Sequence, residues 1–213
     1  MNETRNLAAA PGAAARPWDA RLAAWLVAPL RDSWVTPNHL TSLRLLVGLL
    51  GAGCLARGSY LWSNLGALGI VLSNFIDHTD GELARLSGKS SRIGHLYDLA
   101  SDAVITVLLF ACLGLGNAAV SRAPSQALLG WIAGLAVALI FYTRMRLEER
   151  LGKGQSRQAS LAGFETEDVL YLLPLVTLFD VNQSFIWAAA IGAPLFLVFV
   201  LYDYWRKIPR SRA

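Results

Sequence analysis

The chain has 213 residues, 54% of them apolar and only 16% charged, with a formal net charge of +4. Soluble domains of this size carry more charge and fewer apolar side chains, so this balance excludes an ordinary soluble fold and points to one membrane domain. A bilayer core about 30 Å thick takes about 20 mostly apolar residues per helix, which leaves room for roughly six crossings joined by short loops.

Residues 1–16 are Ala-rich with Gly and Pro and lack the apolar core and cleavage pattern of a signal peptide, so a retained, disordered tail is expected. Over residues 17–35, Trp18, Leu22, Trp25, Leu26 and Leu30 recur at helical spacing, with Arg21 and Arg31 on the polar side. Asp19, Arg21 and Arg31 leave an apolar interior too short to span. An interfacial amphipathic helix is therefore expected rather than a first crossing.

Thr36-Pro37-Asn38 then opens a helix with a capping hydroxyl and a first-turn proline. Transmembrane helices are predicted at about 38–56, 60–76, 96–115, 126–144, 167–180 and 184–204, within a domain covering 36–205 and followed by a basic tail, 206–213. The second runs straight into DHTDGELAR, and the fifth is short, bounded by Glu165, Glu167 and Asp180. The expected fold class is thus all-α integral membrane, six spans after an interfacial helix. Cys54 and Cys112 each lie in an apolar run without metal or redox spacing and are given no role.

Apart from Arg44, inside the first span, sixteen of the nineteen Lys and Arg fall in the N-terminal region, the connector at 86–94 with Arg85, residues 144–157 and the C-terminus. Only Arg57 and Arg122 remain for the other side. The positive-inside rule then places both termini and the connector at the cytoplasmic face of the cell (inner) membrane. The positive charge follows from this loop bias and suits anionic lipid headgroups, so nucleic acid is not an expected partner.

The chemistry-bearing residues lie on either side of that connector. Asp77 and Asp80 are i,i+3 neighbours, and Asp98 and Asp102 are i,i+4 neighbours, so each pair projects from one face of its helix. Four carboxylates at a membrane face repel one another unless cations neutralise them. All-oxygen ligation without a cysteine or histidine pattern suits Mg²⁺ or Mn²⁺ rather than zinc. Gly81 and Ala84, one turn apart, leave a groove for a base or phosphate, Arg85 can fork onto phosphate oxygens, and Gly94 is read as relaxing the turn into the third span.

Written out, the segment is DxxDGxxAR, eight residues, then GxxxDxxxD, from Asp77 to Asp102. It matches without a gap the signature of the CDP-alcohol phosphotransferase family, which the chain also resembles in helix layout. The resemblance implies six transmembrane helices after an interfacial helix, a homodimer, a site open to the cytoplasmic leaflet and a two-metal centre. By position it implies Asp77, Asp80 and Asp98 as metal ligands, and Asp102 as general base beside the second ion. Gly81, Ala84 and Arg85 would hold the CDP moiety of a CDP-linked donor, CDP-diacylglycerol or a CDP-alcohol, that reacts with an alcohol acceptor. Asn38 and Thr41, in PNHLT, resemble the start of the first helix in this family, near the nucleotide; plain helix capping is the equal alternative.

Other features bear on the substrates. Lys89, Ser90 and Ser91 either touch phosphate or are solvated, and His78 and His95 flank the motif outside its ligand positions. The run Glu165-Thr166-Glu167-Asp168 either lines the acceptor pocket or is a solvated helix start. Arg144, Arg146, Arg150 and Arg157 offer the opposite charge to a phosphate-bearing acceptor. The leading expectation is a phosphatidyl transferase using CDP-diacylglycerol. The reverse arrangement, a soluble CDP-alcohol and a lipid hydroxyl, is supported by the similarity of GKSSRIGHLYDLASD to the ethanolamine and choline phosphotransferase form of the motif. A transporter with embedded carboxylates is the alternative of another class, and it gives no reason for the Gly, Ala and Arg spacing.

Overall fold

The computed structural model describes residues 18–89, 91–151 and 170–207, and the described residues contain helices and no strands. The expected N-terminal tail, residues 208–213 of the expected C-terminal tail and the acidic run at 163–168 lie outside the described residues, and Arg206 and Lys207 end α7 rather than start a tail. Helix α1 covers Trp18–Val27, α2 Pro37–Leu55, α3 Tyr60–Ser87, α4 Arg92–Ser121, α5 Ser125–Leu151, α6 Leu173–Leu178 and α7 Asn182–Lys207. Helices α2–α5 and α7 fall where the apolar runs predict them, with α3 continuing unbroken through the first aspartate pair, whereas α6 is shorter than the run expected at 167–180.

Helix α1 stops earlier than the 17–35 segment suggests. Pro29 removes a backbone donor and its ring crowds the preceding turn, and the chain passes into a short 3₁₀ turn at Ala28–Leu30. Ala23 and Val27 are buried, and α1 packs on α3; Leu22, Trp25 and Leu26 face outward. Helix α3 ends at Gly88, whose φ of 67° is the left-handed cap that glycine adopts without strain.

Chain order is not spatial order. Helix α2 packs extensively against both α3 and α4, whereas α3 and α4 barely touch each other. Helix α5 packs on α4 and α7, and α6 on α3. The core where these layers meet holds Leu55, Ala67, Ile70, Leu109, Phe110, Leu113, Leu173 and Ile186. Small residues let the backbones approach: a Cβ on Gly66 would lie 2.7 Å from the Gly51 carbonyl, and one on Gly130 would lie 2.4 Å from the Phe110 carbonyl. This is how helices pack when lipid, as apolar as leucine, offers no hydrophobic drive between them.

The outer surface is apolar as well. Leu50, Leu61, Leu128, Leu195, Val198 and Phe199 are each more than 60% exposed. An outward-facing belt of this kind suits lipid rather than water. Helices α4, α5 and α7 are long and apolar enough to cross a membrane by length and composition. Helices α2 and α3 are not among these, because Arg44, Ser63, Asn64, Ser73 and Asn74 dilute their apolar runs, and α6 has only six helical residues. The fold is thus an all-helical membrane fold with three such spans among the described residues.

Gly130→Val is expected to force α4 and α5 apart, lowering stability by about 1–3 kcal/mol, the usual cost of overpacking. Gly53→Ala, where an added Cβ meets nothing within 4 Å, should be neutral or slightly stabilising. Thermal unfolding of the two variants in detergent checks the contrast.

Candidate active site

The wedge position of α2 decides the geometry of the site. Asp77 and Asp80 sit on α3 and Asp98 and Asp102 on α4, the two helices that α2 separates. Across that gap Asp77, Asp98 and Asp102 still bring one carboxylate oxygen each within 4.8 Å of one another. What bridges them is a residue of α2. Arg44 is 1% exposed, and its Nη1 pairs with Asp77 and lies 2.9 Å from Asp102 Oδ1. Its Nη2 lies 3.1 Å from Asp98 Oδ1 and donates to the Asp98 backbone carbonyl at 2.9 Å. The Arg44 carbonyl in turn accepts from Ser73 Oγ at 2.9 Å, which fixes α2 to α3 at that level.

Arg44 is the residue that sequence reasoning passed over, having counted it only as a charge inside the first span. The available signal was its setting, since an arginine within an apolar run must find carboxylate or carbonyl partners.

Asp80 stands apart from the group of three. It is 5% exposed and accepts a hydrogen bond of 2.8 Å from Thr41 Oγ1. Asp80 lies beyond the apolar run at 60–76, and burial, followed by the nearby Asp98 charge, pushes its carboxyl up to about 7, against the Thr41 bond and Arg44. Thr41 therefore touches a candidate metal ligand. Asn38 lies against Gly94, where a Cβ would come within 2.7 Å of Asn38 Oδ1. Gly94 is thus not a turn residue as the sequence suggests; it sits in the first turn of α4, and its N–H bonds to Ser91 Oγ at 2.9 Å.

The CDP-groove residues lie on the next turns of α3. A Cβ on Gly81 would meet only Arg85 Nη2, at 3.8 Å, so the space over this turn is open. Ala84 is half-buried, and Arg85 is 67% exposed, held 2.9 Å from the buried Glu82. Lys89 Nζ donates to the Ser33 carbonyl at 2.6 Å and ties the connector to the loop before α2. His78 pairs through Nδ1 with the Asn74 carbonyl.

The donor set fits a hard divalent cation. It is all oxygen, drawn from three converging carboxylates, and Asp98 Oδ1 is buried without a hydrogen bond despite the nearby guanidinium. Asp77, Asp98 and Asp102 are 28%, 33% and 50% exposed, so a ligand can reach them from one side. On the other side a cavity of about 30 Å³ is bounded by Ser73, Asn74 and Thr106 beside Arg44, Asp77 and Asp102, and closed by Ile70, Leu109 and Leu170. It has room for at least one water.

Residues 34–198 match the family model for CDP-alcohol phosphatidyltransferase, which includes the whole aspartate segment. The chain belongs to the CDP-alcohol phosphatidyltransferase family. A bifunctional IPC transferase and DIPP synthase from Rubrobacter xylanophilus is 35% identical over 140 residues, 66% of this chain and 30% of that protein. Cholinephosphotransferase 1 of Danio rerio is 34% identical over 104 residues, 43% of this chain and 27% of that protein. The chain thus spans less than a third of the length of these curated relatives. Among solved structures, the Mycobacterium tuberculosis phosphatidylinositol phosphate synthase with CDP-DAG bound shares the fold at a TM-score of 0.70 and 19% identity. That likeness covers 87% of this chain and 94% of the other. The family is generally divalent-metal dependent, in keeping with the convergence of carboxylates.

Thr41→Val removes the hydroxyl that donates to the buried Asp80 carboxylate and is expected to lower stability by about 1–3 kcal/mol. Thr41→Ser should stay close to wild type. Thermal unfolding in detergent, with and without Mn²⁺, reads both.

Proposed function

We propose that this protein is a metal-dependent phospholipid headgroup synthase that passes the phosphatidyl group of CDP-diacylglycerol to a polar alcohol and releases CMP. The observation that carries the reading is the convergence of Asp77, Asp98 and Asp102 from two helices within the complete family motif. Asp77, Asp80, Asp98 and Asp102 are the residues that would hold Mg²⁺ or Mn²⁺. A bound divalent ion would supply neutralisation of the diphosphate and of the charge that builds on the leaving phosphate.

The remaining work falls to the chain itself. Asp102, half exposed at the open side, accepts the proton of the acceptor hydroxyl as that oxygen bonds to phosphorus. The bond to the CMP oxygen breaks, and CMP leaves with its electron pair. The open turn at Gly81 and Ala84 admits the cytidine part, and the exposed Arg85 forks onto its phosphates. Six spans, with α2, α3 and α6 completing the set, an interfacial α1 with Trp25 outward, a homodimer, and a site facing the cytoplasm of the cell membrane belong to the same reading.

A second reading, a soluble CDP-alcohol that delivers its headgroup phosphate to a lipid hydroxyl, has its own support. The cholinephosphotransferases of Danio rerio and Gallus gallus are 34% and 35% identical over the aligned parts, well above the identity with the CDP-DAG-bound structure. Arg144 stacks on Phe196 of α7 and Arg146 on Tyr142 of α5; cations of this kind would suit a phosphate-bearing acceptor and so favour the first reading over this one.

Purified protein should release CMP from a cytidine-diphosphate donor only with a divalent metal and an alcohol acceptor present. Asp102→Asn should lose about 10²-fold to 10⁴-fold of that turnover, the usual worth of a positioned base, while donor binding persists. No CMP from any donor sinks the enzyme reading, and an active mutant removes Asp102 as the base. Lipid mass spectrometry over a matrix of CDP-diacylglycerol and soluble CDP-alcohols then separates the two readings.

A further inference from the structure

Three of the four aspartates of the proposed metal centre, Asp77, Asp98 and Asp102, already surround a cation, the Arg44 guanidinium. It enters from α2, the helix that separates the two aspartate helices, and is 1% exposed. Its two terminal nitrogens reach Asp77, Asp98 and Asp102 together, and the Asp98 carbonyl fixes its tilt. A planar fork is the side chain best able to bridge several carboxylates at once. The same group repels any divalent ion that approaches those oxygens.

We propose that Arg44 is a resident counter-cation of the aspartate cluster, and that metal binding is an exchange in which the divalent ion takes over carboxylates that the guanidinium gives up. This rests on the metal-dependent reading above. Arg44 acts as a positioning residue: it keeps α3 and α4 drawn to α2 while no ion is bound, and its charge weakens the hold of the site on the ion. Its single positive charge offsets part of the repulsion among the three carboxylates and leaves net negative charge to attract the ion.

Two measurements on the full chain in detergent test the exchange, with Mn²⁺ as probe. In a calorimetric or paramagnetic titration, Arg44→Gln should bind Mn²⁺ about tenfold more tightly than wild type, because one positive charge at contact range is gone. In EDTA the same variant should unfold at a lower temperature than wild type, and saturating Mn²⁺ should close that gap. Arg44→Lys keeps the charge as a compact ammonium that cannot bridge three carboxylates; it should shift both quantities the same way by less, and it decides the matter if Arg44→Gln does not fold.

Asp98→Asn is the control for the underlying reading. Wild-type binding lost in Asp98→Asn, but unchanged or weaker in the Arg44 variants, overturns the exchange and leaves the metal site standing. No Mn²⁺ binding by the wild type removes both. An EDTA stability deficit that Mn²⁺ does not close marks Arg44 as a structural pin alone and likewise overturns the proposal.

Discussion

A buried guanidinium among three carboxylates sets the terms for the rest of the molecule. Arg44, Asp77, Asp98 and Asp102 come from three helices, so their pairing is tertiary contact rather than helix chemistry. Taking ions out of water is expensive, and the attraction between them offsets that expense only when geometry and hydrogen bonds are good. Here the Asp98 carbonyl and the Ser73 hydroxyl supply the additional bonds around Arg44. Removing the carboxylates would leave the buried Arg44 charge uncompensated, whereas the carboxylates, partly exposed, keep some contact with solvent when Arg44 is removed.

That pairing explains why α2 lies where it does. Consecutive helices in a bundle usually pack as neighbours, and α3 and α4 are joined by a short connector, yet they scarcely meet. Two helices that each carry a pair of carboxylates at facing ends repel along that contact. A helix with Arg44 and Thr41 between them replaces repulsion with an ion-pair network on one turn and the Thr41 to Asp80 hydrogen bond on another. The open turn at Gly81 and the exposed Arg85 follow Asp80 along α3.

Much of this was legible in the sequence. Helix positions followed from apolar runs and from the Thr36-Pro37 start, and the aspartate spacing placed each carboxylate pair on one helical face. The family followed from the motif, and the match over residues 34–198 agrees. What the sequence hid was three-dimensional order. Periodicity along α2 says nothing about which helix it faces, so Arg44 read as an isolated charge and Thr41 as a cap or nucleotide contact. Gly94 read as a turn residue because glycine often ends helices; in the fold it is the gap that lets Asn38 approach α4. The four-aspartate cage likewise resolved into three converging carboxylates and a fourth, Asp80, secured separately by Thr41.

Packing and chemistry meet at one turn of α2. Gly48 lies one turn after Arg44, and a Cβ there would come within 2.8 Å of Ile105 on α4 and 2.9 Å of Ser73 Oγ on α3. Ser73 is the residue whose hydroxyl holds the Arg44 carbonyl, and Ile105 follows Asp102 by three positions on α4. The missing side chain at Gly48 therefore sets how close α2 comes to both aspartate helices, and with it how far the Arg44 guanidinium reaches. Interiors are packed densely enough that a shift of a few tenths of an ångström at such a contact passes to its neighbours. The small residues of α2 are thus part of the ligand geometry: they fix the distance across which the carboxylates converge, and Arg44 or a divalent ion then works at that distance.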